Sequence, residues 1–301
     1  MELRVLKYFL AVAHEQSIIH AAEALHLTQP TLSTQLKALE QELGKQLLIR
    51  GSKGSRKVTL TQDGMILKKR AEEILQLVDK TEQEIRSSED VIIGDLYIGA
   101  GETEGVKLIA RTAKCMMNSH PGIHFHLRSG NAEYVSEQMD KGLLDFGLIF
   151  GDVDHRKYNS IRFPHEDIWG VITRRDDPIA KKDHIEPDDL KDLPLLVSSE
   201  YSQNAIKEWM NTGEEEPLHI VSTYNLLNNA ALMVEEGVGY AVTLNKIIYT
   251  GPDSNLIFLP FYPENKAPLH LIWKKYQILS RPAECFLNHI QALAESSASQ
   301  N

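Results

Sequence analysis

The feature that most constrains this chain is a leucine repeat that begins just after the tripeptide Thr28-Gln29-Pro30. The repeat is spaced i, i+4, i+7 and i+11, and its members are Leu32, Leu36, Leu39 and Leu43. This spacing places the leucines in one stripe on an α-helix. Pro30 falls in the first turn, where its missing N–H costs nothing, and the Thr28 hydroxyl can cap that turn. The proline therefore predicts the start of a helix near Gln29, after a helix that is capped by Ser17 and ends near Leu25.

The helix face opposite to the leucines carries short polar groups, one cation and no acid at its centre. Its members are Pro30, Thr31, Ser33, Thr34, Lys37 and Gln41. A helix that enters a DNA groove needs hydrogen-bond donors and avoids carboxylates that face the phosphates. An ordinary surface helix, which usually mixes Glu with Lys, remains the alternative for this window alone. The pattern favours the DNA-reading helix of a helix-turn-helix.

The net charge of −10 is unevenly distributed along the 301 residues. Residues 28–70 contain nine Lys and Arg against three acids, a local charge of +6, so the remainder carries −16. A basic N-terminal segment on an acidic body is typical of a protein that binds DNA at one end. The length is sufficient for two or three domains.

The segment LLIRGSKGSRKVTLT, residues 47–61, has two short apolar runs around a Gly, Ser, Lys and Arg tip. This pattern predicts a β-hairpin, which beside a helix-turn-helix forms a wing. Its cations are expected to neutralise DNA phosphates, and a solvated loop is the alternative. The cations concerned are Arg50, Lys53, Arg56 and Lys57.

Helical periodicity then continues without a break from Gln62 to Ser87, and a linker is predicted at residues 87–90. The apolar positions alternate four and three apart, at Leu67, Ala71, Ile74, Val78, Thr81 and Ile85. This is the spacing of a coiled-coil seam, weakened by the threonine. We expect the helix to be too long to bury this seam against the small N-terminal domain. A second copy of the chain is therefore predicted to cover it.

Beyond residue 90 the sequence alternates between strand-like and helical segments, which predicts an α/β region with mixed sheets. Strands are predicted at residues 91–100, 123–128, 146–150, 169–173, 194–197, 219–223, 240–244, 257–259 and 269–273. Helices are predicted at residues 104–118, 134–141, 204–210 and 226–236.

Several function classes find no support in the sequence. No apolar run approaches the roughly 20 residues of a membrane helix, and no catalytic nucleophile motif is present. The two cysteines, Cys115 and Cys285, fit no metal or redox spacing. His120, His124 and His126 fit a half-exposed strand better than a metal site. We therefore expect no metal, no cofactor, no membrane and no enzymatic activity.

The stretch AAEALHLTQPTLSTQLKALEQELG, followed by LLIRGSKGSRKVTLTQDG, resembles the LysR-type transcriptional regulators. Further landmarks of that family are GDLYIGA, HPGIHFHLRSGN, GLLDFGLIFG and VEEGVGYAV, so the resemblance covers essentially the whole chain. It implies an N-terminal all-α winged helix-turn-helix, a long linker helix and a C-terminal α/β two-lobed effector domain like a periplasmic binding protein. The implied domains are residues 1–61, 62–90 and 91–301, with one lobe at 91–161 plus 268–295 and the other at 162–267.

The resemblance also implies a function. We expect a cytoplasmic, sequence-specific DNA-binding transcriptional regulator that is modulated by a small-molecule effector between the lobes. Its expected partners are an inverted-repeat promoter site, the effector, a homodimer or homotetramer of the chain, and RNA polymerase. A small-molecule binding protein with a degenerate N-terminal domain and an enzyme that uses the cleft are the alternatives.

Two residues depart from the family pattern. Relatives often have Arg where this chain has Thr34, at the centre of the groove face, so one long-range contact to DNA is expected to be absent. Leu48 replaces a usual Phe at the entry to the wing, which is a tolerable exchange in a core.

The candidate site residues follow from these patterns. On the helix, the expected DNA contacts are Gln29, Thr31, Ser33, Thr34, Gln35 and Lys37. For the effector, the loop GAGETEG could attract an anion at a helix N-terminus, although Glu102 and Glu104 would oppose one unless they point away. Similar loops line the cleft in the LysR-type regulators, so the resemblance implies a set of effector candidates: Gly101, Glu102, Thr103, Ser129, Asn131, Ser198, Ser199, Tyr201, Asn225 and Thr243. Loop and cap residues that bind no ligand are the alternative at each of these positions.

Overall fold

The chain divides into two compact units, Met1–Arg86 and Ser87–Asn301. The computed structural model describes residues 1–51, 57–86, 92–198, 206–210 and 218–298. In the described part of the chain, no helix is both long and apolar enough to cross a membrane.

The first unit contains four helices and a two-stranded hairpin among its described residues. These are α1 (Leu3–Glu15), α2 (Ile18–Ala24), α3 (Gln29–Leu43), β1 (Leu48–Arg50), β2 (Val58–Leu60) and α4 (Gln62–Arg86). The Ser17 hydroxyl accepts the backbone N–H of His20, and the Thr28 hydroxyl accepts that of Thr31. Pro30 lies in the first turn of α3. The predicted caps and the predicted helix start are therefore confirmed.

The leucine stripe of α3 forms the centre of the first core. Leu32, Leu36 and Leu39 are at most 2% exposed and pack with Phe9 of α1. Leu43 is 41% exposed, so the last member of the predicted stripe does not join this core. It is the final residue of α3, beyond the part of the helix that the other elements cover.

The expectation for the long helix is corrected in part. Ala71 is fully buried and packs with Leu75 and with Leu6 of α1, so α1 of the same chain covers this part of the predicted seam. Farther along α4, Leu77 is 42% exposed and Ile85 is 79% exposed. The small domain thus buries more of the helix than its length suggests, while Ile66 near its start and the later turns keep exposed apolar side chains.

The second unit contains nine strands among its described residues. They are β3 (Gly94–Ala100), β4 (Ile123–Ser129), β5 (Phe146–Phe150), β6 (Tyr158–Arg174), β7 (Leu195–Val197), β8 (Ile220–Thr223), β9 (Tyr240–Leu244), β10 (Leu256–Pro260) and β11 (Lys266–Lys274). The helices are α5 (Val106–Ser119), α6 (Ala132–Asp140), α7 (Pro187–Leu190), α8 (Leu227–Glu235), α9 (Arg281–Ala298), a 3₁₀ turn at Pro178–Lys181 and a helical stretch at 206–210. The first eleven residues of β6 and the helix α9 were not predicted from the sequence.

The strand order is β4-β3-β5-β11-β6-β9-β7-β8, with β10 paired to β6. Strand β3 is parallel to β4 and β5, whereas β11 is antiparallel to β5 and β6, which confirms the predicted mixed sheet. Leu96, Phe146 and Phe286 belong to one core, here called the first lobe. Val171 and Val242 belong to another core, here called the second lobe. The two long strands β6 and β11 contribute to both cores.

A glycine at the junction between the hairpin and α4 tests this packing. A Cβ at Gly64 would lie 2.2 Å from the backbone oxygen of Leu47, which no side-chain movement can relieve. We expect Gly64→Ala to lower the free energy of unfolding by about 2 kcal/mol, as measured by urea unfolding of the intact chain. The control is Gly44→Asn, because Gly44 has φ +63° and open space around its Cβ position. Equal effects of the two substitutions would contradict the packing at Gly64.

Candidate DNA interface and effector cavity

The first turns of α3 present the predicted groove residues at the surface. Gln29, Thr31, Thr34 and Lys37 are exposed, and Ser33 and Gln35 are half-buried. The buried leucines lie on the opposite side of the helix. The helix therefore offers a polar face with one cation, backed by a packed core that fixes its orientation.

Two hydroxyls on this face are used within the helix. The Thr31 and Thr28 hydroxyl oxygens lie 2.8 Å apart. The Thr34 hydroxyl donates to the backbone oxygen of Pro30 at 2.9 Å. Because its proton is engaged in this way, Thr34 offers a base edge an acceptor and a methyl group rather than a donor.

The hairpin cation Arg50 is held within the domain. The half-buried carboxylate of Glu40 accepts the backbone N–H groups of Leu47 and Leu48 at 2.8 and 3.1 Å through Oε1. Its second oxygen, Oε2, lies 3.5 Å from the Arg50 guanidinium. Glu40 thus ties α3 to the hairpin and offsets the charge of Arg50. Lys57 is exposed, and the predicted contacts Lys53 and Arg56 lie outside the described residues.

A cavity of about 400 Å³ lies between the lobes of the second unit. Seven of the predicted effector residues line it, namely Gly101, Glu102, Ser129, Asn131, Ser198, Asn225 and Thr243. Thr103 is not among the lining residues. Ser199 and Tyr201 lie outside the described residues.

Sequence reasoning missed the apolar part of the wall. Phe150 ends β5, Trp169 lies within β6, and Tyr224 directly follows β8. The first two were interpreted as strand residues of a core, since aromatic side chains are common in strands. Tyr224 could have been predicted as a lining residue, because it directly precedes the predicted Asn225.

Thr103 has a structural role that explains its absence from the wall. Its hydroxyl donates to the carboxylate of Asp167 in β6 and accepts the backbone N–H of Gly105 at 2.9 Å. Asp167 is fully buried, so this bond satisfies a carboxylate that would otherwise be costly to bury. Thr103 therefore supports the loop rather than the cavity wall, and its role as an effector contact stays a prediction.

Residues 101–105, here called the inter-lobe loop, also hold the second lobe. Glu102 accepts the backbone N–H of Leu227, the first residue of α8, with 2.6 Å between Oε2 and the nitrogen. A carboxylate at a helix N-terminus satisfies an open donor and interacts favourably with the helix dipole. The carboxylate that was expected to oppose a bound anion therefore occupies an anion-binding position itself.

Glu104 adds an ion pair between the lobes. It pairs with Lys107 of the following helix α5, and Lys246 Nζ of the second lobe lies 2.8 Å from its Oε2. The hydrogen bonds from Lys107 and Lys246 lower the pKa of Glu104 from 4.5 to about 2. Glu104 is therefore ionised throughout the physiological pH range.

Tyr224 organises the polar part of the wall in the second lobe. Its hydroxyl donates to the backbone oxygen of Val242 at 2.8 Å and is also hydrogen-bonded by Thr243 and Ser198. Burial raises the pKa of Tyr224 to about 12, so the phenol is neutral. The hydroxyls of Ser198 and Thr243 are thus oriented by a shared partner.

The histidines of β4 form no metal cluster in the structure. Nε2 of His126 lies 2.7 Å from Asp95 Oδ1, and its ring stacks on Tyr97. Within the described ranges, no group of three or more His, Cys, Asp or Glu side chains has a metal-binding arrangement.

The Glu104 pair makes a pH-dependent contribution to stability. A lowered carboxyl pKa stabilises the fold fully above 4.5, and this stabilisation is lost as the pH falls through about 2. We expect Lys246→Met to lower the free energy of unfolding by about 0.5–1 kcal/mol at neutral pH, because Lys246 is partly exposed. The difference in unfolding free energy between this variant and wild type should vanish near pH 2, as measured by urea unfolding at several pH values. Lys68→Met, which removes a surface pair with Glu72, is the control, and a pH-independent difference for Lys246→Met would contradict the pairing.

Comparison with known proteins agrees with this geometry over both units. Residues 3–65 match the family model described as bacterial regulatory helix-turn-helix protein, lysR family. Residues 90–295 match the model described as LysR substrate binding domain.

Individual relatives cover most of the chain. The hydrogen peroxide-inducible genes activator of Dickeya chrysanthemi is 27% identical over 303 residues, which is 98% of this chain and 94% of that protein. A probable RuBisCO transcriptional regulator of Thalassiosira pseudonana is 30% identical over 213 residues, 69% of this chain and 68% of that protein.

The fold is also that of a solved regulator. The crystal structure of full-length CbnR with its target DNA superposes with a TM-score of 0.73 at 20% identity, and the match covers 97% of this chain and 99% of that one. The two family models, the relatives and the two-unit architecture lead to one conclusion: the chain belongs to the LysR family of DNA-binding transcriptional regulators with an effector-binding domain.

Proposed function

We propose that this regulator reads an inverted-repeat promoter site through the exposed face of α3, and that a small molecule in the inter-lobe cavity changes this binding. The observation that carries the proposal is the polar, acid-free face of α3 above its buried leucines. Gln29 suits a bidentate contact to adenine, and Thr31 and Ser33 suit base edges or phosphates. Gln35, which is half-buried, has the least favourable position of these residues.

The cations of the first unit are expected to contribute unequally to the binding of DNA phosphates. Lys37 is exposed on the α3 face and forms no ion pair with an acid in the part of the chain that the structure describes. Arg50 lies 3.5 Å from Glu40, so part of its charge is already compensated. We therefore assign a larger phosphate contribution to Lys37 than to Arg50, and we retain Lys53, Arg56 and Lys57 as proposed phosphate contacts.

Effector control is proposed to act on the arrangement of the two lobes. A ligand that binds one lobe arrangement better than another shifts the population toward it. The inter-lobe loop supports this proposal, because Glu102 and Glu104 hold the second lobe beside the cavity. Gly101, Ser129, Asn131, Ser198, Asn225 and Thr243 are the proposed ligand contacts besides Glu102.

Self-association is proposed through the bare turns of α4. Ile66 is 58% exposed and Leu77 is 42% exposed, with Ile85 near the end of the helix. A second copy of the chain that packs against these side chains would remove their apolar surface from water, which favours dimerisation. We retain residues 1–61, 62–90 and 91–301 as the proposed domains, the cytoplasm as the proposed location and RNA polymerase as a proposed partner.

Catalysis is not part of the proposed function. The family consists of transcriptional regulators, and among the described residues Glu102 and Tyr224 of the cavity wall are hydrogen-bonded to backbone groups. A passenger role for the first unit is disfavoured by the intact core and caps of α3.

DNA footprinting of the intact protein on its promoter region tests this function. We expect protection of two related half-sites about one helical turn apart or at a multiple of that spacing. Lys37→Ala should reduce the slope of log affinity against log salt by about 0.9, and Arg50→Ala should reduce it less because Glu40 offsets its charge. Absence of protection at low salt would refute the proposed function. Equal slopes for the two variants would refute only the assigned roles of the cations.

A further inference from the structure

All charged side chains among the described residues of the cavity wall are negative. Glu102 and Glu133 are lining residues, and the described lining residues include no Lys, Arg or His. An anionic ligand would therefore meet two carboxylates and no counter-charge, which is unfavourable in a partly enclosed site.

Two groups that could attract an anion beside Glu102 are already engaged. The N–H of Leu227 at the start of α8 donates to Glu102. Lys246, one residue before the lining residue Ile247, pairs with Glu104. A carboxylate ligand that bound to Leu227 or Lys246 would have to displace one of these acids and break the contact that it makes between the lobes.

The remainder of the wall suits an organic cation. Phe150, Trp169 and Tyr224 line the cavity together with apolar side chains such as Leu148 and Ile247. The face of an aromatic ring attracts a cation, and the apolar surface can cover a hydrocarbon group. Oε2 of Glu102 is bonded to Leu227, and Oε1 makes no hydrogen bond with a described residue.

We propose that the effector is a small organic amine or quaternary ammonium ion with an apolar group, and that Glu102 is its counter-charge. The volume of about 400 Å³ suits a ligand with one ring. This inference rests on the proposed function of the cavity as the effector site, and it specifies the class of ligand.

Three probes of the same skeleton test the class of ligand. Isothermal titration of the intact protein is carried out with phenethylamine, phenethyl alcohol and hydrocinnamate, which are cationic, neutral and anionic at neutral pH. We expect phenethylamine to bind about tenfold more tightly than the alcohol and hydrocinnamate to bind most weakly. Hydrocinnamate or the alcohol binding as tightly as the amine, or no binding of the amine, overturns the proposal.

Glu102→Gln tests the assigned residue. A glutamine oxygen can still accept the Leu227 N–H, so the loop contact is retained while the charge is removed. We expect this variant to lose about tenfold in affinity for phenethylamine and to bind phenethyl alcohol as wild type does. The matched control is Glu284→Gln, an exposed acid of α9 away from the cavity, which should leave all three affinities unchanged. An unchanged amine affinity in Glu102→Gln removes Glu102 from the site.

Footprinting of the same preparation separates this inference from the proposed function. Protein that protects DNA but does not prefer the amine refutes the ligand class and leaves the regulator function intact. Protein that prefers the amine but protects no DNA supports the ligand class and refutes the DNA-reading function.

Discussion

Strand β6 is the constraint on which the arrangement of the second unit depends. It has 17 residues, pairs with β11 along its first part, and pairs with β9 and β10 along its last part. One continuous strand therefore belongs to both lobes, and β11 runs beside it in the opposite direction. Two lobes that share such strands can change their mutual angle only by bending or twisting them. The cavity lies between the lobes, with Trp169 of β6 in its wall.

The inter-lobe loop adds contacts across the cleft to those of the shared strands. Thr103 is bonded to the buried Asp167 of β6, which anchors the loop to the connecting strands. On either side of it, Glu102 and Glu104 reach α8 and Lys246 of the second lobe. One side chain is therefore used for support and two for contact across the cleft. A ligand that binds beside Glu102 would compete with, or reinforce, one of these contacts.

Local signals predicted much of the first unit, whereas contacts between distant residues were beyond sequence reasoning. Thr28, Pro30 and the leucines act within one helix, so their spacing alone predicted the cap, the helix start and the buried stripe. The covering of Ala71 by Leu6 depends on how two helices pack, and the coiled-coil pattern did not contain that information. The bond from Leu227 to Glu102 joins residues 125 positions apart, so no local pattern could predict it. The seven predicted residues that line the cavity came from the family resemblance rather than from residue spacing. The aromatic part of the wall was missed because the sequence does not distinguish Phe150 and Trp169 from strand residues that are buried in a core.

The central claim is that the inter-lobe loop holds the two lobes together across the cavity. Amide hydrogen exchange at Leu227, resolved by NMR in wild type and in Glu102→Ala, measures this contact directly. The bonded N–H in wild type should be protected, and its exchange in Glu102→Ala should be at least about tenfold faster, because a hydrogen bond to a charged acceptor is lost. The amides of β9, which are paired within the second lobe, should exchange at the same rate in both proteins. Equal exchange at Leu227 in the two proteins would contradict the claim.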